Sequence, residues 1–594
     1  MKTNKLIALL IAALMVAGCF ACAAPAAAPA AEPAAAAEPA AEPAAEPAAE
    51  EAPAEEAAAE WPTEVVDPGA GWAAAYDDKI AEIKSTTDFA ARVTLMHEVE
   101  DTLMASGAIL PIYYYNDLFM MRDGVEGFYA SAFGTKYFMY CTYGDKTTLR
   151  INLASEPDYL DPALNSSVDG ACLAANGFGG LYTYNAEQQL VPDLADSYVV
   201  SDDGLTYTFT LKDGLKWSDG SALTANDFVY SWKRAADPKT AADYAYMLNG
   251  IAGFDDTNLQ VSATDDKTFV VTLTAPCAYF LDLCAFPTFY PVPQASVEAA
   301  ADWETNPGSW CKDAGFVSCG AYMLESWTHE ESMVYVKNPN WWNADAVKIE
   351  RIEYMLSADD TAIFAAYNAG DLDFADTVPT DEIANLKGNP EFYVIDNLGT
   401  YYVIFNVKAP MFEGKTPEQA SAMRRAFSDL IDRQYIIDTV GQTEQEIATS
   451  FIPSGMADGN GGIFKDAAAW KYPNGADGYY ETDVNVDKAI ALLESAGFVF
   501  TDGKLDASNP ISFEYLTNES SGHIAIAECI QQDLAAIGIE MSIRSIDWAT
   551  FLQERKAGNY GIARNGWLAD FNDPINMLEM WTTESGNNDA QFGR

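Results

Sequence analysis

Histidine is scarce in this chain: three occur in 594 residues, at positions 97, 329 and 523. That scarcity argues against a histidine-ligated metal or haem site and against chemistry that recruits an imidazole base. Cysteine offers no substitute. Beyond Cys19 and Cys22 there are seven, Cys141, Cys172, Cys277, Cys284, Cys311, Cys319 and Cys529, and no two of these stand in C-x-x-C spacing. Cys277 with Cys284 and Cys311 with Cys319 are candidate bridges outside the cell, with buried free thiols as the alternative. No Gly-x-Ser-x-Gly elbow and no His-Glu-x-x-His string is present. Carboxylate pairs abound, as this composition makes them by chance. Neither a metal, a cofactor nor an enzymatic activity is expected.

Positive charge is the second shortage. Lys plus Arg number 34 against 88 Asp plus Glu, a formal net charge of −54. Such a surface repels nucleic acid and anionic membrane faces, so neither is an expected partner. Long apolar runs are the third. The one candidate, Leu6 to Val16, is too short to span a bilayer.

That short run is informative for another reason. Lys2 and Lys5 precede it, and it ends in Val16-Ala17-Gly18-Cys19. Small residues before a cysteine read as a bacterial lipobox, so residues 1–18 are expected to be a signal peptide and Cys19 the lipid-bearing residue. Cys22 is a second candidate. Residues 19–67 are then a tether, dominated by Ala, Pro and Glu, which can bury no core and whose charges repel one another. The expected location is the extracytoplasmic face of the membrane, held by lipid.

The remaining length exceeds one compact core. Phe89, Val93, Met96, Val99 and Leu103 recur at helical spacing behind Thr87-Asp88, a capping pair. A β-rich run follows from Ala108 to Tyr115, and another strand is expected over 148–154. Residues 205–211 alternate in polarity, and Thr224 caps a helix running through Trp232. Strand 401–406 and helices at 423–431 and 486–496 continue the alternation of an α/β protein.

Several strings stand together in order. They are Leu215-Lys216-Trp217-Ser218-Asp219-Gly220, Leu223 to Trp232, Asp237-Pro238-Lys239-Thr240 and Asn340-Trp341-Trp342-Asn343. Tyr401-Tyr402 with Asn406, Met423-Arg424-Arg425-Ala426 to Arg433, and Gly566-Trp567-Leu568-Ala569-Asp570-Phe571-Asn572-Asp573-Pro574 follow. Together they resemble the peptide-binding proteins of ABC importers, the oligopeptide-binding type. The front block, from Tyr76-Asp77-Asp78 through Ala108 to Asn116 and Gly127-Phe128-Tyr129, resembles the end of that family. The order is reversed, as in a circularly permuted chain.

The resemblance implies a periplasmic-binding-protein-like clamshell: two α/β lobes and a third domain inserted beside lobe one. Lobe two takes residues 68–115 and 399–594, lobe one takes 116–178 and 294–398, and the extra domain takes 179–293. It implies a monomer that binds an oligopeptide and delivers it to ABC permease subunits. Asp570 matches the carboxylate that meets the peptide amine, and Arg564 an arginine toward the other end of the ligand. Gly566 and Leu568 match backbone contacts on one edge of the peptide, Ser166 and Val168 contacts on the other. Tyr244, Tyr402, Trp548 and Trp567 match positions in the walls. Relatives of this fold take dipeptides, metal chelates, haem or signalling peptides, so the ligand class stays open at this level.

Overall fold

Two long strands carry the architecture. They are Ile109–Met121 (β1) and, far along the chain, Phe392–Phe405, and they pair antiparallel over most of their length. The computed structural model describes residues 71–153, 155–254, 258–466, 470–473 and 478–594, all within the second of the chain's two units, residues 60–594. The expected signal peptide, Cys19 and the whole of the expected tether lie outside the described residues.

Ahead of β1 come helices Ala73–Ser85 (α1) and Phe89–Ala105 (α2). Asp88 starts α2 as expected, its side chain accepting from the amides of Ala90 and Ala91. After β1 follow strand Thr148–Asn152 (β2) and helix Val168–Gly177 (α3). Strands Ala195–Val200 (β3), Thr206–Leu211 (β4), Val261–Asp265 (β5) and Thr268–Thr272 (β6) form a separate antiparallel sheet in the order β5-β6-β4-β3. Helix Ala225–Ala236 (α4) lies among them in sequence, opened by Thr224 and Asp227 in a capping box. Its buried Phe228 and Trp232 pack on Phe269 of β6 at 5.5 and 4.9 Å. This small sheet and its helix fall inside the residues expected to form an inserted domain.

Strands Tyr322–Thr328 (β7), Ser332–Lys337 (β8), Arg351–Met355 (β9) and Phe374–Ala375 (β10) precede Phe392–Phe405 (β11). Helix Asp360–Ala369 (α5) connects β9 to β10, and Pro417–Leu430 (α6) and Val486–Ser495 (α7) follow β11. Last come Ser512–Asn518 (β12), Ser521–Ala535 (α8), Glu540–Ile546 (β13), Trp548–Ala557 (α9), Ile562–Leu568 (β14) and Ile575–Glu579 (α10). Ten of these strands form one mixed sheet, ordered β7-β8-β9-β2-β10-β1-β11-β14-β12-β13. Parallel pairs sit on both sides, β9 and β10 with β2 at one end, β14 and β13 with β12 at the other. Among the described residues, β1 and β11 carry the sheet from one half to the other.

Both strands run well past the residues whose β character is plain in the sequence. Their register slips twice, between Pro111 and Tyr113 and between Tyr114 and Asn116. Proline cannot donate to a ladder, and an extra residue bends and twists a strand pair. The irregularities fall between the part of β1 that faces Tyr402 to Ile404 and the part that faces β10.

The front block is built into the half containing β14. The Arg424 guanidinium donates to the carbonyl of Ser106, and Arg433 Nε to that of Pro111 at 2.8 Å. Arg92 makes a buried two-pronged ion pair with Asp573, at 2.8 and 2.7 Å. The Tyr76 hydroxyl donates to the Leu578 carbonyl at 2.8 Å. Residues 80–104, the end of α1 and most of α2, therefore pack on the half of the sheet whose strand β14 leads into Asp570.

The seven described cysteines are free thiols. The candidate bridges Cys277–Cys284 and Cys311–Cys319 do not form, and burial holds all four thiols well above their ordinary pKa.

Candidate functional site

A cavity of about 510 Å³ opens between the halves of the sheet. β1 contributes Tyr113 and residues 115–118, the approach to α3 contributes Ser166 and Val168, and β14 contributes Arg564 and residues 566–568. Tyr244, Trp548, Arg555, His523 and Asp570 complete much of the wall.

Asp570 follows β14 at the cavity wall. One carboxylate oxygen accepts from Asn576 Nδ2 at 2.8 Å, and the other from the Tyr244 hydroxyl at 3.3 Å. Its own amide donates to Asn576 Oδ1 at 3.0 Å, so the loop is fixed from both ends. No cation pairs with it among the described residues. Burial pushes its pKa up to about 7, against the pull of those two hydrogen bonds. A recessed carboxylate without a counter-ion is costly unless a cation arrives.

Arg564 is the converse. It is buried on β14, and its Nε donates to Asn518 Oδ1 at 2.7 Å. Its guanidinium lies 5.1 Å from the Trp548 ring centre and 4.9 Å from that of Phe551. Burial lowers its pKa, and no carboxylate pairs with it among the described residues. Its neighbour in the wall, Arg555, is neutralised by Asp589 at 2.8 Å.

The strand itself offers backbone groups. β14 pairs along its whole length with β11, but with β12 only at Ile562 and Ala563. Ala569 donates to the Leu398 carbonyl at 2.7 Å. Alternation along an antiparallel ladder then turns the backbone groups of Gly566 and Leu568 away from β11, toward the unpaired edge, where the Gly566 amide is held by Asn565 Oδ1 at 2.8 Å. Gly566 also has no room for a side chain, since a Cβ there would stand 2.1 Å from the Tyr115 hydroxyl oxygen. Across the cavity, Ser166 accepts a hydrogen bond from Lys556, which also ion-pairs with Asp243. Val168 opens α3 behind its cap Ser167, so the groups it can offer are first-turn amides, not a strand edge.

Tyr244, Trp567 and Trp548 line the cavity. Trp567 stands 5.9 Å from the Tyr244 ring and donates to Asn576 at 3.1 Å. Tyr402 does not line it. Successive strand residues face opposite sides, and Tyr402 points into the core against Phe451 and Trp581, at 5.1 and 6.1 Å. Its neighbour Tyr401 takes the other side, 5.0 Å from Tyr113 and 5.6 Å from His523. Sequence reasoning passed over Arg555 and His523. A signal for Arg555 was present: with Phe551 and Leu552 it makes one buried face of α9. His523, the third residue of α8, carried none.

The chain matches the bacterial extracellular solute-binding proteins, family 5, over residues 189–589. The oligopeptide-binding protein OppA of Bacillus subtilis is 32% identical over 457 residues, covering 75% of this chain and 79% of that protein. Among solved structures, OppA of Haemophilus influenzae in complex with RPPGFSPFR aligns with a TM-score of 0.64 at 29% identity, over 75% of this chain and 85% of that one. The murein tripeptide binding protein MppA of Escherichia coli aligns with a TM-score of 0.67 at 28% identity, over 76% and 84%. The match takes in β14, Asp570 and the whole of the small sheet, and the chain belongs to the bacterial extracellular solute-binding proteins, family 5.

Proposed function

We propose that the chain captures oligopeptides in this cavity and delivers them to an ABC permease. One observation carries the reading. A carboxylate and a guanidinium, each without an ionic partner among the described residues, face a single cavity whose wall includes an unpaired strand edge. A peptide is a zwitterion with a strand-forming backbone, and it complements all three features. Asp570 takes the amine, Arg564 lies toward the carboxylate, and Gly566 and Leu568 extend the sheet by main-chain hydrogen bonds. Tyr244, Trp548 and Trp567 form the walls. The names of the relatives, oligopeptide- and murein tripeptide-binding proteins, point the same way.

The lipobox supports a lipid anchor at Cys19, with the following residues as tether. The front block's place against α10 and between β10 and β11 supports a permuted chain, in which residues 71–140 stand for the family's usual end. Division into two lobes and an inserted domain, with the boundaries given above, is supported by the halves of the large sheet and by the separate small one.

Native mass spectrometry of the purified chain tests the ligand class. A mixture of short peptides released on denaturation, and lost in Asp570→Ala, is the expected outcome. A single non-peptide compound would overturn the reading in favour of another solute.

A further inference from the structure

One part of the cavity wall has no role in the reading above. Lys136 is buried, and its Nζ lies 2.7 Å from Asp117 Oδ2 and 3.0 Å from Asp376 Oδ1. Both carboxylates line the cavity and keep 16% and 18% of their side chains exposed, whereas the lysine keeps 4%. The ammonium therefore sits behind the carboxylates, not in front of them. One cation serves two acids, so the trio carries a net negative charge only when both are ionised, and in the empty protein at neutral pH Asp376 keeps its proton. Burial raises the Asp376 pKa and the Asp117 charge adds to it, with Lys136 opposing both. Asp169, at the start of α3, adds another carboxylate to the same wall. Among the described residues, no donor except Lys136 reaches the side chain of Asp117 or Asp376.

Asn397 is an independent pointer. It lines the same cavity at 8% exposure, and its Oδ1 is buried without a hydrogen-bond partner among the described residues. It stands on β11 two positions from Ile395, the residue that faces Asp117 across the strand pair. A buried acceptor left unpaired is expensive, and beside two acids that share one ammonium it calls for a ligand rich in donors, whose positive charge would draw the proton off Asp376. A lysine ammonium brings three donors and a guanidinium five, each with a positive charge.

We propose that Asp117 and Asp376 form a side-chain subsite that selects a lysine or arginine residue of the bound peptide. The proposal rests on the peptide reading. It adds to the terminal contacts a preference for cationic sequences, which suits a chain whose whole surface attracts cations.

Isothermal titration of the full chain, stripped of bound ligand, tests it with tetra-alanine peptides. Each carries one lysine, or one norleucine, at each position in turn; norleucine keeps the length of the side chain and removes the charge. At one position the lysine peptide is expected to bind about tenfold more tightly, and Asp376→Asn to bring that ratio close to one. Asp117→Asn carries the same expectation should Asp376→Asn fail to fold. Equal affinities at every position, or a lysine preference that both variants retain, would overturn the subsite while leaving the peptide reading intact. Binding of none of the peptides would overturn both.

Discussion

At the scale of single residues, Asp570 has two measurable consequences of opposite sign. Its folded pKa, about 7, lies above the ordinary carboxylate value of 3.8. The empty folded protein therefore holds a proton that the unfolded chain gives up, and this group's contribution to stability falls as pH rises from about 4 to 7. Asp570→Asn should raise the Tm of the ligand-free protein at pH 8 by about 1–3 °C and leave it unchanged at pH 4, by scanning calorimetry. Binding runs the other way. A peptide amine needs the ionised carboxylate, so affinity should fall roughly tenfold per pH unit below about 7. In Asp570→Asn it should be weak and flat with pH. Asp570 was legible in the sequence because a string around it named the loop. The Asp117–Lys136–Asp376 cluster was not, because its members lie on three separate segments, only one of them a long strand, and meet only in the folded chain.

At the scale of elements, the tie between α2 and the loop after β14 decides how firmly Asp570 is held. Arg92 and Asp573 are both almost fully buried. Removing one partner strands the other, a loss of about 3–5 kcal/mol. Arg92→Met should lower the denaturant midpoint accordingly, and peptide affinity with it, because Asp573 is three residues from Asp570. Gly566→Ala tests the strand. Its methyl group meets the Tyr115 hydroxyl, at a cost of about 1–3 kcal/mol, and should weaken peptide binding more than it lowers the Tm. Helix starts were readable from caps, as with Asp88 and Thr224, since a cap is a local hydrogen bond between near neighbours. The lengths of β1 and β11 were not. Asn116, Asp117, Asp396 and Asn397 are poor strand residues by propensity, and they extend only because each strand templates the other.

At the scale of the whole molecule, the formal charge of −54 should make stability rise with salt, since screening weakens self-repulsion. A Tm that increases between 10 mM and 500 mM sodium chloride checks this. The permuted order has its own test: a chain in which residues 71–140 are moved to follow Arg594 should fold and bind the same peptides with similar affinity. Loss of folding in that chain would count against the permuted reading. Many of the strands were visible in the sequence, but their joining into one sheet was not, because periodicity says which residues share a face and not which strands become neighbours. Among the described residues, the strands that carry the large sheet from one half to the other are β1 and β11, and they are hydrogen-bonded to each other over most of their length. Parting the halves therefore means twisting a laced pair of strands, and the resisting torque grows with the angle. Such a joint is expected to act as a spring and not as a loose gate, so that opening the cavity beyond the angle seen here costs work.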